Sequence, residues 1–239
     1  LAGVEPGMLL LDVTPPSLGS ETMGGVVSRL IPRNSTIPAS ATEVLTTGVD
    51  GQRNVLIHVV QGEREMAADN RSLARFDLKD IPPMPAGMPR IEVRFLIDAN
   101  GILQVSARDL HTEREQSIEV KPSYGLTDEQ VEAMIGESVA RAEEDFRRRQ
   151  LVEARLEADT ILAATEKALN HDAWFEITEE EHQAITLALN ELRLAYYADD
   201  HLLIRRQMDK LNQAALRLAT LMMETAVKSA LEGKDVREV

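Results

Sequence analysis

The chain has 239 residues, enough to bury a sizeable core in one large domain or two modest ones without covalent staples. It contains no cysteine, which excludes disulfides, thiolate zinc sites and thiol nucleophiles and fits a reducing compartment, read here as the cytoplasm. A formal net charge of −14 argues against binding to nucleic-acid backbones, and the apolar stretch Met8 to Leu11 is too short to cross a bilayer, so neither nucleic acid nor membrane is an expected partner. Because it starts at Leu1 and not at Met, the chain reads as a piece of a longer protein.

Residues 9 to 25, LLLDVTPPSLGSETMGG, open with an apolar run that ends on Asp12, break on Pro15 and Pro16, and then use three glycines in seven residues. From Gly24 onward the chain reads as strands separated by turn chemistry: GGVVSRLI, ATEVLTT, NVLIHVVQGE, SLARFDL, RIEVRFLID, ILQVSA and EQSIEVKP. In RIEVRFLID, Ile91, Val93 and Phe95 share one face and Glu92 and Arg94 the other, the period-two pattern of a half-buried strand. Asn100-Gly101 is the pair that a type I′ hairpin favours, and Asp50-Gly51 separates an earlier pair of strands. Seven or eight short strands at this spacing imply an antiparallel sandwich or barrel.

All ten prolines fall at or before Pro122, and only three of the thirteen glycines lie beyond it. Charge divides at the same place: residues 1–122 hold 12 basic and 16 acidic side chains, and residues 123–239 hold 14 and 24. The second portion reads as helix almost throughout. Thr127 to Gln130 and Thr178 to Glu181 have capping-box spacing, and Asp199-Asp200 is a third start signal. These predict helices over about 127–172, 178–197 and 200–231, the first too long to remain undivided.

The sequence holds no glycine-rich phosphate loop, no G-x-S-x-G elbow and no H-E-x-x-H pair. His58 is out of phase with Val55 and Ile57, which predicts an outward-facing side chain and not a metal ligand. Asp98 to Gly101 reads as a hairpin and not a calcium loop, and the acidic clusters at 143–145 and 179–181 as helix-start positions. What stands out is a set of alternating aliphatics, Val55, Ile57, Ile91 and Val93, near loops with little bulk at Met23-Gly24-Gly25 and Gly48. This suits a peptide groove, but on pattern alone an ordinary sandwich core is the favoured reading.

LLLDVTPPSLGSETMGG, then Ile31 to Pro38, HVVQGEREMAADNRSLARFDL, GMPRIEVRFLIDANGILQVSA and YGLTDEQVEAM resemble, in order and spacing, the client-binding portion of the DnaK-type heat-shock chaperone family. The similarity runs from about Met8 to about Arg155; beyond it only helical character matches. The resemblance implies an α+β architecture, with an interdomain linker remnant at 1–12, an antiparallel β-sandwich peptide-binding subdomain at 13–122 and an all-α helical lid at 123–239. It implies a binding module and no enzyme, with no cofactor of its own, ATP and magnesium belonging to a separate N-terminal ATPase domain. The expected partners are apolar peptide segments of client proteins, that ATPase domain and a J-domain co-chaperone.

Carried over by position, the resemblance makes Leu9, Leu10, Leu11 and Asp12 the linker that docks on the ATPase domain. It makes Leu18, Leu45, Val55, Ile57, Ile91 and Val93 the groove lining, Ser20 its edge, Met23 and Gly48 an arch over the peptide, and Thr22 a source of main-chain hydrogen bonds. Arg64 and Asp159 become the pair that latches the lid. Ser20, Gly48 and Pro16 depart from the family pattern, which implies a more polar rim and a more open arch, and Ala86 and Ala163 stand where further lid contacts are usual. IPRN, SLARF and VKPSYGLT are similar to a specialist branch serving iron-sulfur cluster assembly, with a scaffold protein as client; AADN and GMPRIEV are similar to the general folding branch. Two further readings stay open: a helical adaptor built on a sandwich scaffold, and self-association through the leucine triplet entering a neighbour's groove.

Overall fold

A computed structural model describes residues 13–14, 16–122 and 126–235, with side chains to 228. The linker residues Leu9 to Asp12 lie outside the described residues, as does Pro15. The chain divides into two compact units, Leu1–Phe146 and Arg147–Val239. The strand-to-helix switch near 122 therefore precedes the division between units.

Among the described residues, the first unit contains eight strands in two antiparallel sheets. β1 (Leu18–Glu21), β2 (Val27–Ile31), β4 (Val55–Gln61) and β5 (Arg71–Leu78) form one, in the order β2-β1-β4-β5. β3 (Ala39–Leu45), β6 (Ile91–Ile97), β7 (Leu103–Asp109) and β8 (Glu115–Val120) form the other, in the order β3-β6-β7-β8. Seven of these strands are the seven predicted segments. β1 is the exception, because its four residues, Leu-Gly-Ser-Glu, carry no apolar alternation and only pairing with β2 and β4 makes them a strand.

Alternation builds the core. Val55, Ile57 and Val59 of β4 face Ile91, Val93, Phe95 and Ile97 of β6 and Leu103, Val105 and Ala107 of β7, joined by Leu18, Ile31, Leu78 and Ile81. Phe95 is fully buried.

The 98–101 turn differs from the predicted type I′ form, since Gly101 has φ +72° and Asn100 does not enter the left-handed region. Gly101 donates its amide to Asp98 O at 3.0 Å, and Asp98 donates its own to Ile102 O at 3.0 Å, so five residues close the loop. The Asp98 carboxylate accepts from the amides of Ile102 and Asn100 at 2.9 and 2.8 Å. That local bonding, the Ile102 amide first, holds its pKa below the usual carboxylate range and replaces the turn that Asn-Gly alone would favour.

The helices are α1 (Asp128–Ala140), α2 (Ala142–Ala168), α3 (Glu179–Tyr196) and α4 (His201–Asp235). The predicted long helix breaks at Arg141. Both capping boxes form as read from the sequence: Thr127 with Gln130, and Thr178 with Glu181. Asp200 caps α4, accepting from the amides of Leu202 and Leu203 at 2.9 and 3.1 Å. In the second unit, Ile185, Leu189 and Leu192 of α3 pack with Ile204, Leu211 and Leu218 of α4 and with Ala154 and Ala158 of α2.

Thr178→Ala is expected to cost about 1 kcal/mol, the usual value of a side-chain cap, read as a lower urea midpoint by the fluorescence of Trp174, which packs against that core. The Glu181 carboxylate is held below its ordinary range, chiefly by the Thr178 amide. Its share of the box is therefore present above the unfolded glutamate value and fades as pH falls through the folded one.

No helix among the described residues is long and apolar enough to cross a membrane.

Candidate functional site: an arch over the sandwich core

The 22–26 turn begins where β1 ends. Thr22 donates its amide and its hydroxyl to Val26 O at 2.8 and 3.0 Å, and Gly25 donates to Thr22 O at 3.1 Å. Gly24 and Gly25 take φ of +79° and +76°, a path an L side chain resists, which is why two glycines stand together here. The turn holds Met23 out, 55% exposed. Thr22, expected to offer main-chain hydrogen bonds to a peptide, spends its amide inside this turn.

From the opposite sheet, the loop after β3 brings Gly48 to meet Met23. A methyl group on Gly48 would sit 2.8 Å from Met23 Sδ, so the thioether fills the space a larger residue would occupy. The space that the glycine alone suggested would be open is thus filled from the methionine side. The Gly48 loop is pinned: Gly48 donates to Gln52 Oε1 at 3.2 Å, Gly87 to Thr47 O at 3.0 Å and Ala86 to Asp50 Oδ1 at 2.8 Å.

Six of the predicted lining residues come together. Leu18, Ile57, Ile91 and Val93 are almost fully buried, Val55 is buried and Leu45 half-buried, all in or against one inter-sheet cluster. They lie within the core of the sandwich, whereas Met23 is exposed.

Ser20 is 1% exposed, and its hydroxyl has no hydrogen-bond partner among the described residues. In register beside it, Ser28 donates to Glu43 Oε1 at 2.9 Å, while Glu43 Oε2 and the Thr47 hydroxyl are buried and unpartnered among the described residues. Each such atom costs about 1–3 kcal/mol. Glu43 was not among the predicted site residues, although its signal was present: in ATEVL it shares the inward phase of Ala41 and Leu45, an acid on a core-facing position.

Arg64, one half of the expected latch, engages Asp145 within the first unit, with Nε donating to Oδ2 at 2.5 Å and Nη2 to Oδ1 at 2.8 Å. Asp145 stands in the first turn of α2, where a carboxylate also meets the positive end of the helix. Asp159 accepts from the Tyr196 hydroxyl at 3.2 Å. The two-pronged bond with Asp145 raises the Arg64 pKa further above its ordinary value. Arg64 is itself held by Asn70, whose Oδ1 accepts the Arg64 amide and whose Nδ2 donates to Arg64 O and Met66 O. Gly62 makes that possible: a methyl there would lie 2.1 Å from Asn70 Oδ1.

His58 faces outward as its phase requires, yet it is only 4% exposed and is bonded at both ring nitrogens.

The family model described as "Hsp70 protein" matches residues 1–224. Curated relatives named "Chaperone protein HscA homolog" are 47% identical over 231 residues in Cupriavidus taiwanensis, Janthinobacterium sp. (strain Marseille) and Herminiimonas arsenicoxydans. In each case the match covers 97% of this chain and 37% of the relative, so the chain spans little more than a third of the length of those proteins. With a family model spanning most of its length and an ordered run of motifs agreeing with it, the chain belongs to the Hsp70 family.

Proposed function

We propose that this chain is the substrate-binding portion of an ATP-regulated chaperone, which grips extended apolar peptide segments. The observation that carries this is the meeting of Met23 and Gly48 above the aliphatic cluster of Leu45, Val55, Ile57 and Ile91. A client would slide its backbone under that arch and place one apolar side chain where Met23 now closes the mouth. Met suits this task because its unbranched thioether re-packs at low cost. The chain acts as a binding module in this reading. ATP, magnesium and the J-domain co-chaperone act through an ATPase domain on the rest of the protein, and the helical portion serves as lid.

A buried leucine side chain is worth about 1.5–3 kcal/mol, and a micromolar complex needs about 8 kcal/mol. One good pocket and several main-chain bonds reach that after ordering costs. A labelled leucine-centred peptide is expected to show saturable anisotropy in the micromolar range (about 8 kcal/mol of binding), abolished by Val55→Phe. The absence of binding at hundredfold higher protein would favour a helical adaptor instead.

The HscA-named relatives favour the iron-sulfur reading of the branch, with a scaffold protein's Leu-Pro-Pro-Val-Lys-like segment as client. Preference for that peptide over a generic apolar one in the same titration supports it; equal binding supports general folding work.

A further inference from the structure

Three side chains outside the arch form a relay on the outer face of the first sheet. Glu21 Oε2 lies 2.5 Å from His58 Nδ1, and His58 Nε2 lies 2.8 Å from Ser72 Oγ. A carboxylate only accepts, so Nδ1–H donates to it, and in the neutral imidazole the Nε2 lone pair then faces the serine hydroxyl. The imidazole is withdrawn from water, 5% exposed at its side chain, while Ser72 is exposed. A dry base, oriented by an acid and bonded to an accessible hydroxyl, is the arrangement that activates a serine nucleophile.

The register explains how a strand residue reaches it. Val59 pairs with Ala74 but Val60 pairs with Ser72, so Leu73 is an extra residue, a β-bulge. Both Leu73 and Ala74 pack on the core, which turns Ser72 onto the outer face beside His58. Without the bulge, Ser72 would share the inward phase of Ala74. Arg75, opposite His58 in the register and exposed, sets a guanidinium on the same face.

We propose that Ser72 is an activated nucleophile, a covalent modification site for activated acyl donors such as thioesters and aryl esters. Ser72 Oγ attacks the carbonyl carbon while its proton passes to His58 Nε2. The new O–C bond forms, the carbonyl oxygen carries the negative charge of the tetrahedral intermediate, and as the carbonyl re-forms the bond to the thiolate or phenolate breaks. The leaving group departs as the anion, and the imidazolium returns its proton to water or to that anion. The product is a Ser72 ester. This site does not depend on peptide binding at the arch.

The test treats the full chain with p-nitrophenyl acetate and maps acetyl esters by mass spectrometry, with Ser117, an exposed serine on β8, as internal reference. General-base assistance is worth about 100-fold or more, so Ser72 is expected to label about 100-fold faster than Ser117. Ser72→Ala removes the adduct, and Glu21→Gln, at a partly exposed position, slows labelling at least about tenfold by spoiling the tautomer, with the melting curve measured alongside. His58→Gln does the same where it folds. Ser72 labelling no faster than Ser117, or a Ser72 rate unmoved by Glu21→Gln, overturns the proposal.

Discussion

Phe95→Ala is expected to destabilise the sandwich by about 3–5 kcal/mol, the range for deleting a fully buried aromatic ring. Phe95 is 0% exposed and sits mid-strand in β6, paired to Ala41 on one side and Val105 on the other. With only four phenylalanines in the chain, little else in this core has comparable bulk, and neighbouring valines and alanines are too short to collapse into the void. Domains are stable by only about 5–15 kcal/mol, so much of the margin disappears. Urea denaturation followed by circular dichroism at a strand-sensitive wavelength measures it; a loss under about 1 kcal/mol would mean that the core re-packs as small aliphatic cores rarely do.

Arg64→Met is expected to cost about 3–5 kcal/mol, the usual result of removing one partner from a buried ion pair. The Arg64 and Asp145 side chains are 12% and 4% exposed, and two hydrogen bonds join them, so this is no surface pair of negligible worth. The instructive comparison is the double variant Arg64→Met, Asp145→Leu, which removes both charges and is expected to recover most of the loss. If the double variant is as unstable as the single one, desolvated charge is not the cause and the packing of the arginine stem is.

The sequence made seven of eight strands, both capping boxes and the division of the long helix legible, because each depends on neighbours in the chain: alternation for β6, Thr-x-x-Gln for α1, Asp200 for α4. What escaped depends on distant partners. β1 is a strand only because β2 and β4 flank it, and the 98–101 turn obeys the Asp98 side chain more than the Asn-Gly pair. At the candidate site, resemblance singled out Met23 and Gly48, but the sulfur filling the glycine's vacant volume is a three-dimensional fact. Arg64 was legible as a latch residue only through resemblance, and its bond to Asp145 inside its own unit depends on the break at Arg141, which puts that acid in the first turn of a new helix. Glu43 was readable by phase and overlooked, since an acid on a strand is ordinarily assigned to solvent. The Glu21, His58 and Ser72 relay was beyond pattern reading, because a single bulge residue decides which way Ser72 points.

The order of strands also has a consequence in time. β4 with β5, β6 with β7 and β7 with β8 are neighbours along the chain and close as local hairpins, but β1 must wait for β4, and β3 for β6, before Leu18 finds Gln61 or Ala39 finds Ile97. Each long-range pairing meets its loop-closure entropy before any contact repays it, whereas α3 and α4 join through a short connection. The helical unit is therefore the fast folder and the sandwich the slow one. During refolding, helical signal returns first, and the long-range pairings of β1 and β3, the strands that lead into the Met23 and Gly48 loops, are the last part of the sandwich to form.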